Sequence, residues 1–244
     1  MTLCFLVALL LALAVLAPST LLDQRLSAAT QGQLRLTAAR GTLWRGSAAL
    51  TDATGAWSIP VDWRVERLSL AGRGVAVVLE PLPNRAEPRG RIALQEGTVR
   101  VDGLSLVVPA RALDGAFFAR GVFALGGDLT LDAPAFAWSG AQGSGALNLR
   151  WRSARVANGG SVLDLGTVAL DLAPHEDRRA GRLVNEGGDI RLAGNAEISG
   201  AGAQIDATLT PLSSAPREIV RALAALGTPD ASGAVRVQWH GALH

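Results

Sequence analysis

The 244-residue sequence predicts an all-β protein: one antiparallel β-meander, a curled sheet or a sandwich, behind one N-terminal transmembrane helix and with one short helix near the C-terminus. Three observations predict it. From Gln33 onward, short runs in which apolar and polar residues alternate follow one another to the end of the chain, and that period of two is the signature of a half-buried strand. The runs are separated by glycine, of which there are 28, or by Asp-Gly and Asn-Gly pairs that favour hairpin turns. Before all of them stands an apolar stretch, Leu3 to Ala17 (LCFLVALLLALAVLA), without a single charge.

With Pro18 to Leu22 that stretch reaches the roughly 17 to 25 residues that a membrane span takes. No Lys or Arg precedes it, which speaks against a cleaved secretory signal. Val15-Leu16-Ala17 offers small residues at a cleavage spacing, but Pro18 hinders processing there. Residues 1–22 therefore read as an anchor or an uncleaved signal, and either one exports the residues that follow. Arg25, Arg35, Arg40 and Arg45 come after the run and argue, under the positive-inside rule, for the opposite orientation. Asp23 offsets Arg25 and the other arginines belong to the folded part, so export stands. Cys4, inside the run, is a small apolar filler.

Residues 23–32 form a short helix or linker, with leucines at helical spacing over Leu21 to Ala29 and Gly32 as the stop. Residues 33–244 then form one β-rich domain. Leu34 and Leu36 alternate with Gln33 and Arg35, and Thr42 to Leu50 follows across a glycine turn as a first hairpin. Trp44 falls on a strand of that hairpin between Leu43 and Arg45. Alternation sends it to the face opposite Leu43, outward if Leu43 joins the core. Further strands are expected at Val61–Leu70, Gly74–Glu80, Arg89–Gln95, Thr98–Val101, Ser105–Val108, Leu125–Leu131, Phe136–Trp138, Gly145–Arg152, Gly166–Leu172, Asp189–Leu192, Ala196–Ile198 and Ala203–Leu209. Arg111 to Arg120 is ambiguous between loop and helical turn. In Pro216 to Leu226 the residues Ile219, Val220, Leu223 and Leu226 fall at helical spacing, with Ser213 or Ser214 as cap and Gly227 as stop. Such a helix covers an open end of the sheet by packing, and Val235 to Trp239 supplies the last strand.

Composition excludes several functions. No cysteine follows Cys4, so a disulfide framework or a Cys-built zinc site has no material. Of the three histidines, His175 lies in a charged loop and His240 and His244 end the chain, so neither a metal site nor a catalytic triad is expected. Lysine is absent, which removes the phosphate-binding Walker signature, and the glycine-rich stretches 41–46 and 140–145 lack the strand-loop-helix setting of a nucleotide cradle. The arginines are spread along the chain, for example Arg64, Arg91, Arg150 and Arg236, and leave no nucleic-acid footprint. Aspartates sit beside glycine or at strand ends, where turn chemistry places them. No catalytic residue and no cofactor is expected.

Three patches carry a resemblance. The first is Gly41-Thr42-Leu43-Trp44-Arg45-Gly46-Ser47-Ala48, followed by Val61-Asp62-Trp63-Arg64. The second is Asn185-Glu186-Gly187-Gly188-Asp189-Ile190-Arg191-Leu192-Ala193-Gly194. The third is Leu226-Gly227-Thr228-Pro229-Asp230-Ala231-Ser232-Gly233 and the strand that ends in Trp239-His240-Gly241. In this order, behind an N-terminal anchor, they resemble the protein N family of the bacterial type II (general) secretion system. The resemblance spans nearly the whole chain, although residues 83–120 add little to it. It implies an accessory, single-pass inner-membrane protein with a periplasmic β-rich domain, other secretion subunits as partners and no known catalysis. It supplies no ligand residues.

Most of the six tryptophans are expected on or near the core, each with one N–H to satisfy. Trp44, with Arg45 beside it, is the candidate for partner binding. A second functional class stays open: a curled, apolar-lined sheet that carries a lipid or another hydrophobic ligand in the envelope.

Overall fold

Strands adjacent in the chain mostly pair with one another in the computed structural model, and every strand pairing among the described residues is antiparallel. Short turns join many of the successive strands, and a tight turn permits only that arrangement. The structure describes residues 17–69, 74–83, 85, 87–113, 124–139, 142–158, 161–175, 178–199 and 202–241. The chain divides into two units, Met1–Glu96 and Gly97–His244.

In the first unit, helix α1 (Thr20–Ala29) precedes β1 (Leu34–Gly41), β2 (Arg45–Asp52), β3 (Ser58–Ser69), β4 (Gly74–Glu80) and β5 (Arg89–Gln95), paired in that order. Asp23 ties α1 to β1. Its carboxylate accepts the Nε and Nη2 hydrogens of Arg35 at 3.1 and 2.8 Å and the backbone N–H of Leu36 at 2.8 Å. Ala48, Trp57, Ile59, Trp63 and Ala76 are its buried apolar residues.

The second unit contains β6 (Thr98–Pro109), a single 3₁₀ turn (Ala110–Leu113), β7 (Ala124–Ser139), β8 (Gln142–Gly145), β9 (Leu147–Asn158), β10 (Ser161–His175), β11 (Arg178–Glu186), β12 (Ile190–Ser199), β13 (Gly202–Pro211), helix α2 (Arg217–Leu226) and β14 (Val235–Gly241). Its strands form an open sheet in the order β6-β7-β9-β10-β11-β12-β13-β14, with β8 paired to β7. The all-β expectation, the antiparallel order and the short helix near the C-terminus are all present. Ile219 and Leu223 of α2 are buried in a cluster with Leu165, Val168, Ile190, Leu192 and Val235. Val220, between them, turns outward and is 43 % exposed, as helical periodicity requires. The side-chain cap expected from Ser213 or Ser214 is absent: Pro216 holds the cap position with φ −57° and ψ 144° and no side-chain hydrogen bond.

Several strands are longer than the sequence suggests. Thr98–Val101 and Ser105–Val108 are one strand, because the register continues from Asp102 opposite Ala135 to Leu104 opposite Ala133. Asp102-Gly103 is thus no hairpin, although Gly103 keeps a φ of +60°. Gly194 likewise lies inside β12, where a Cβ would collide with Ala207 of β13, so glycine there permits close approach instead of a turn. β11 has no counterpart among the expected strands, since its charged start reads as loop. It pairs with β10 without a break, from Thr167 opposite Glu186 to His175 opposite Arg178. Residues 1–16, which hold most of the expected anchor, and most of 111–120 lie outside the described residues. Among the described residues no helix is long and apolar enough to cross a membrane.

The exposed ion pair between β13 and β14 gives the fold a small acid-sensitive contribution. Arg236 of β14 gives Nε and Nη2 to the two carboxylate oxygens of Asp206 on β13, and Gln238 adds a third donor at 3.2 Å. The guanidinium, then the Gln238 amide, pull the Asp206 carboxyl from its ordinary 3.8 down to about 2. The folded value lies below the unfolded one, so the pair stabilises the fold above about pH 4, and that contribution is lost as the pH falls towards 2. Thermal unfolding followed from pH 5 down to pH 2 should show a smaller fall in Tm for Asp206→Asn than for the native chain. Equal falls would mean that the pair does not couple to folding.

Candidate functional site

The turn between β1 and β2 holds Trp44, and the first residue of β2 is Arg45, the two residues expected to bind a partner. Gly41 opens it with φ +86°, a conformation that leaves no room for a side chain, since a Cβ would strike the backbone of Arg45 and Gly46. The backbone N–H of Thr42 donates to the Arg45 carbonyl at 2.9 Å, and the Arg45 N–H donates back to the Thr42 hydroxyl at 3.2 Å. The segment before α1 crosses this turn: Leu43 donates to the Ala17 carbonyl at 2.8 Å, and Pro18 bridges Thr42.

Trp44 is therefore a turn residue and not a strand residue, which corrects the expectation from alternation. β2 begins one position later, at Arg45. The two-face argument does not apply to a residue outside the pleat, and both Leu43 and Trp44 are half-buried. The Trp44 carbonyl accepts from the Val65 N–H of β3 at 2.7 Å. Beneath the turn lies Trp63, 5 % exposed, whose indole N–H donates to the Leu43 carbonyl at 3.1 Å. Gly46 admits that ring, because a Cβ at 46 would come within 2.6 Å of it. Trp63 thus holds in place the turn that carries Trp44.

Arg45 stands opposite Arg64 of β3, and the two guanidiniums share Glu80 of β4. Arg64 reaches one carboxylate oxygen at 2.8 Å and Arg45 the other at 3.5 Å. The bond from Arg64, followed by the charge of Arg45, lowers the Glu80 carboxyl below its usual range. A neighbouring pair, Arg91 with Glu66 at 2.6 Å, extends the row of charges on this part of the sheet. Arg45 is the loosest member, its side chain 74 % exposed against 44 % for Arg64. Such exposed pairs add little stability, so Arg45 can exchange Glu80 for another carboxylate at small cost.

The second motif proves to be a structural knot. Asn185, near the end of β11, shares its amide hydrogens among the carbonyls of Leu165 at 2.9 Å, Ile190 at 2.9 Å and Gly187 at 3.1 Å, and its amide oxygen accepts the Leu192 N–H at 2.7 Å. One side chain thereby joins β10, the glycine turn and β12. Gly187 and Gly188 have φ of +75° and +83°, and a Cβ on Gly188 would strike the backbone of Asp164 and Leu165. In the third motif the Asp230 carboxylate accepts from Ser232 N–H at 2.8 Å, Ser232 hydroxyl at 2.7 Å and Ala234 N–H at 2.9 Å, which closes the loop before β14. These bonds, from the Ser232 hydroxyl first, lower the Asp230 carboxyl. Sequence inspection marked both patches without seeing that Asn185 and Asp230 organise them. An Asn before Gly-Gly and an Asp two residues before Ser were the available signals.

Among the described residues no group of three or more His, Cys, Asp or Glu is placed to hold a metal ion. Fold and site together define an antiparallel β-sheet protein whose polar side chains close turns and form ion pairs. The family model for type II secretion system protein N matches residues 32–238, and the chain belongs to that family. No curated protein and no solved structure matches it. The family is an accessory component of the type II secretion system, which places its work in the cell envelope.

Proposed function

We propose that this chain is an inner-membrane component of the type II secretion system, anchored by residues 1–22, whose β-rich part lies in the periplasm and docks on other membrane subunits of the export apparatus. The observation that carries this reading is the extent of the family match, residues 32–238, which includes strands of both units. The apolar stretch Leu3–Ala17 supports the anchor. Docking is favoured over carriage of a hydrophobic ligand by the second unit, where Ile219 and Leu223 of α2 already cover part of the apolar face against Ile190 and Val235. The contact surface includes the β1–β2 turn, with half-buried Trp44 as the apolar anchor and exposed Arg45 as the cation that meets a partner carboxylate.

Copurification from detergent-solubilised envelope tests the proposal. The native chain should bring down other secretion subunits. Trp44→Ala should lose most of them while lowering stability by only about 1 to 2 kcal/mol, between a surface change and a core change. A variant that loses about 3 kcal/mol or more would make Trp44 part of the core. One that retains all partners would remove this turn from the interface.

A further inference from the structure

Arg179 of β11 stands opposite Pro174 of β10 and Ile198 of β12, and it is 3 % exposed. Its guanidinium carbon lies 4.5 Å from the centre of the Phe136 ring and 5.7 Å from that of Trp138. These two side chains of β7 are stacked 6.4 Å apart and are nearly parallel, at 8°. Gly143 of β8, paired with Trp138, leaves the space that the guanidinium takes, since a Cβ there would collide with both of its terminal nitrogens. The rings attract a cation but offer it no acceptor.

Nε and Nη2 of Arg179 are buried and have no hydrogen-bond partner. That edge of a guanidinium receives a carboxylate or a phosphate through two parallel N–H bonds. The chain uses the same edge twice elsewhere, in Arg35 on Asp23 and in Arg236 on Asp206. The acid on β12 beside it, Glu197, is taken by Arg178, which alternation sends to the other face of β11. Burial lowers the Arg179 pKa, yet an arginine keeps its proton, so a charge sits in an apolar place without an ion-pair partner among the described residues. A hydrophobic side chain of similar volume would fill this space at less cost to the fold. Stability therefore does not explain the residue.

We propose that the Nε and Nη2 edge of Arg179 is a receptor for one oxyanion, a carboxylate or a phosphate, held between β8 and β11 beside Phe136 and Trp138. The four-residue strand β8 closes over the guanidinium, and a ligand enters by shifting it. This assignment is independent of the docking role proposed for Trp44.

Thermal unfolding of the full chain in detergent, in sodium chloride, sodium acetate or sodium phosphate at equal ionic strength, tests the proposal together with Arg179→Met and Gly143→Ala. Native Tm should rise by several degrees, saturably, in acetate or in phosphate above its value in chloride. A response to acetate alone assigns a carboxylate, and a response to phosphate alone assigns a phosphate or phosphorylated headgroup. Arg179→Met should melt in chloride at or above the native temperature and show no anion response. Gly143→Ala keeps the arginine but puts a methyl group where the guanidinium lies, and it too should lose the response. Equal native Tm in the three salts, an Arg179→Met chain that melts several degrees below native in chloride or fails to fold, or an anion response that survives Gly143→Ala would each overturn the assignment.

Discussion

Replacing Asn185 with alanine should cost the second unit about 3 to 5 kcal/mol, near the upper end of what single substitutions do. The side chain is half-buried and bonds to four backbone groups, the carbonyls of Leu165, Gly187 and Ile190 and the N–H of Leu192. A buried backbone group left without a partner costs about 1 to 3 kcal/mol, and some of these will find water instead. The two glycines that follow Asn185 are in left-handed conformations, and apart from Asn185 the turn is held by Asp189, whose carboxylate accepts the Asp164 N–H at 3.1 Å, so register between β10 and β12 loosens in part. Asn185→Asp is the informative companion. It keeps the acceptor for Leu192 but sets a negative oxygen against three carbonyls, and it should be at least as damaging as alanine. Chemical denaturation of the full chain, read by the tryptophan fluorescence of this unit, measures both. A loss below about 1 kcal/mol for Asn185→Ala would mean that the hydrogen-bonded knot is incidental.

Trp63→Ala should cost the first unit a similar amount, about 3 to 5 kcal/mol, as large-to-small changes in a core do. The indole is 5 % exposed and packs on Gly46, and its N–H holds the Leu43 carbonyl. Trp63→Phe keeps most of the apolar volume and leaves that carbonyl without its donor, so a smaller cost of about 1 to 2 kcal/mol is expected. The alanine variant should also release the β1–β2 turn. Copurification of secretion subunits should then fall even though Trp44 is intact, an effect absent from Trp63→Phe. If the alanine variant is as stable as native, neighbouring side chains have repacked into the cavity, and the account of this core is wrong.

Legibility in the sequence followed the kind of interaction each residue makes. Gly74–Glu80 and Arg89–Gln95 are strands with the expected bounds, because local alternation is a nearest-neighbour property that each strand carries within itself. Helix α2 was legible for the same reason: Ile219 and Leu223 are one helical turn apart and share a face whatever they pack against. Charge hid β11. Arg178 and Arg179 read as loop, and only pairing with β10 and β12 makes them strand. Trp44 was missed by one position, since alternation cannot say where a turn stops and the pleat begins, and that is decided by the Gly41 conformation and by the Ala17–Leu43 contact from a distant part of the chain.

Taken by itself, the sequence determined the β class, the antiparallel order of most strands and the C-terminal helix, which rest on periodicity and on residues close in the chain, while the family was marked by the resemblance of three motifs in order along it. Tertiary structure alone decided which glycines turn the chain and which lie inside strands, as at Gly103 and Gly194, because that depends on what stands on the neighbouring strand. It alone placed Asn185 among carbonyls of β10 and β12, and Arg179 against Phe136 and Trp138, some forty residues earlier in the chain. Such contacts are made across the sheet, where a side chain's neighbours are set by strand order and register and leave no period along the sequence to be read.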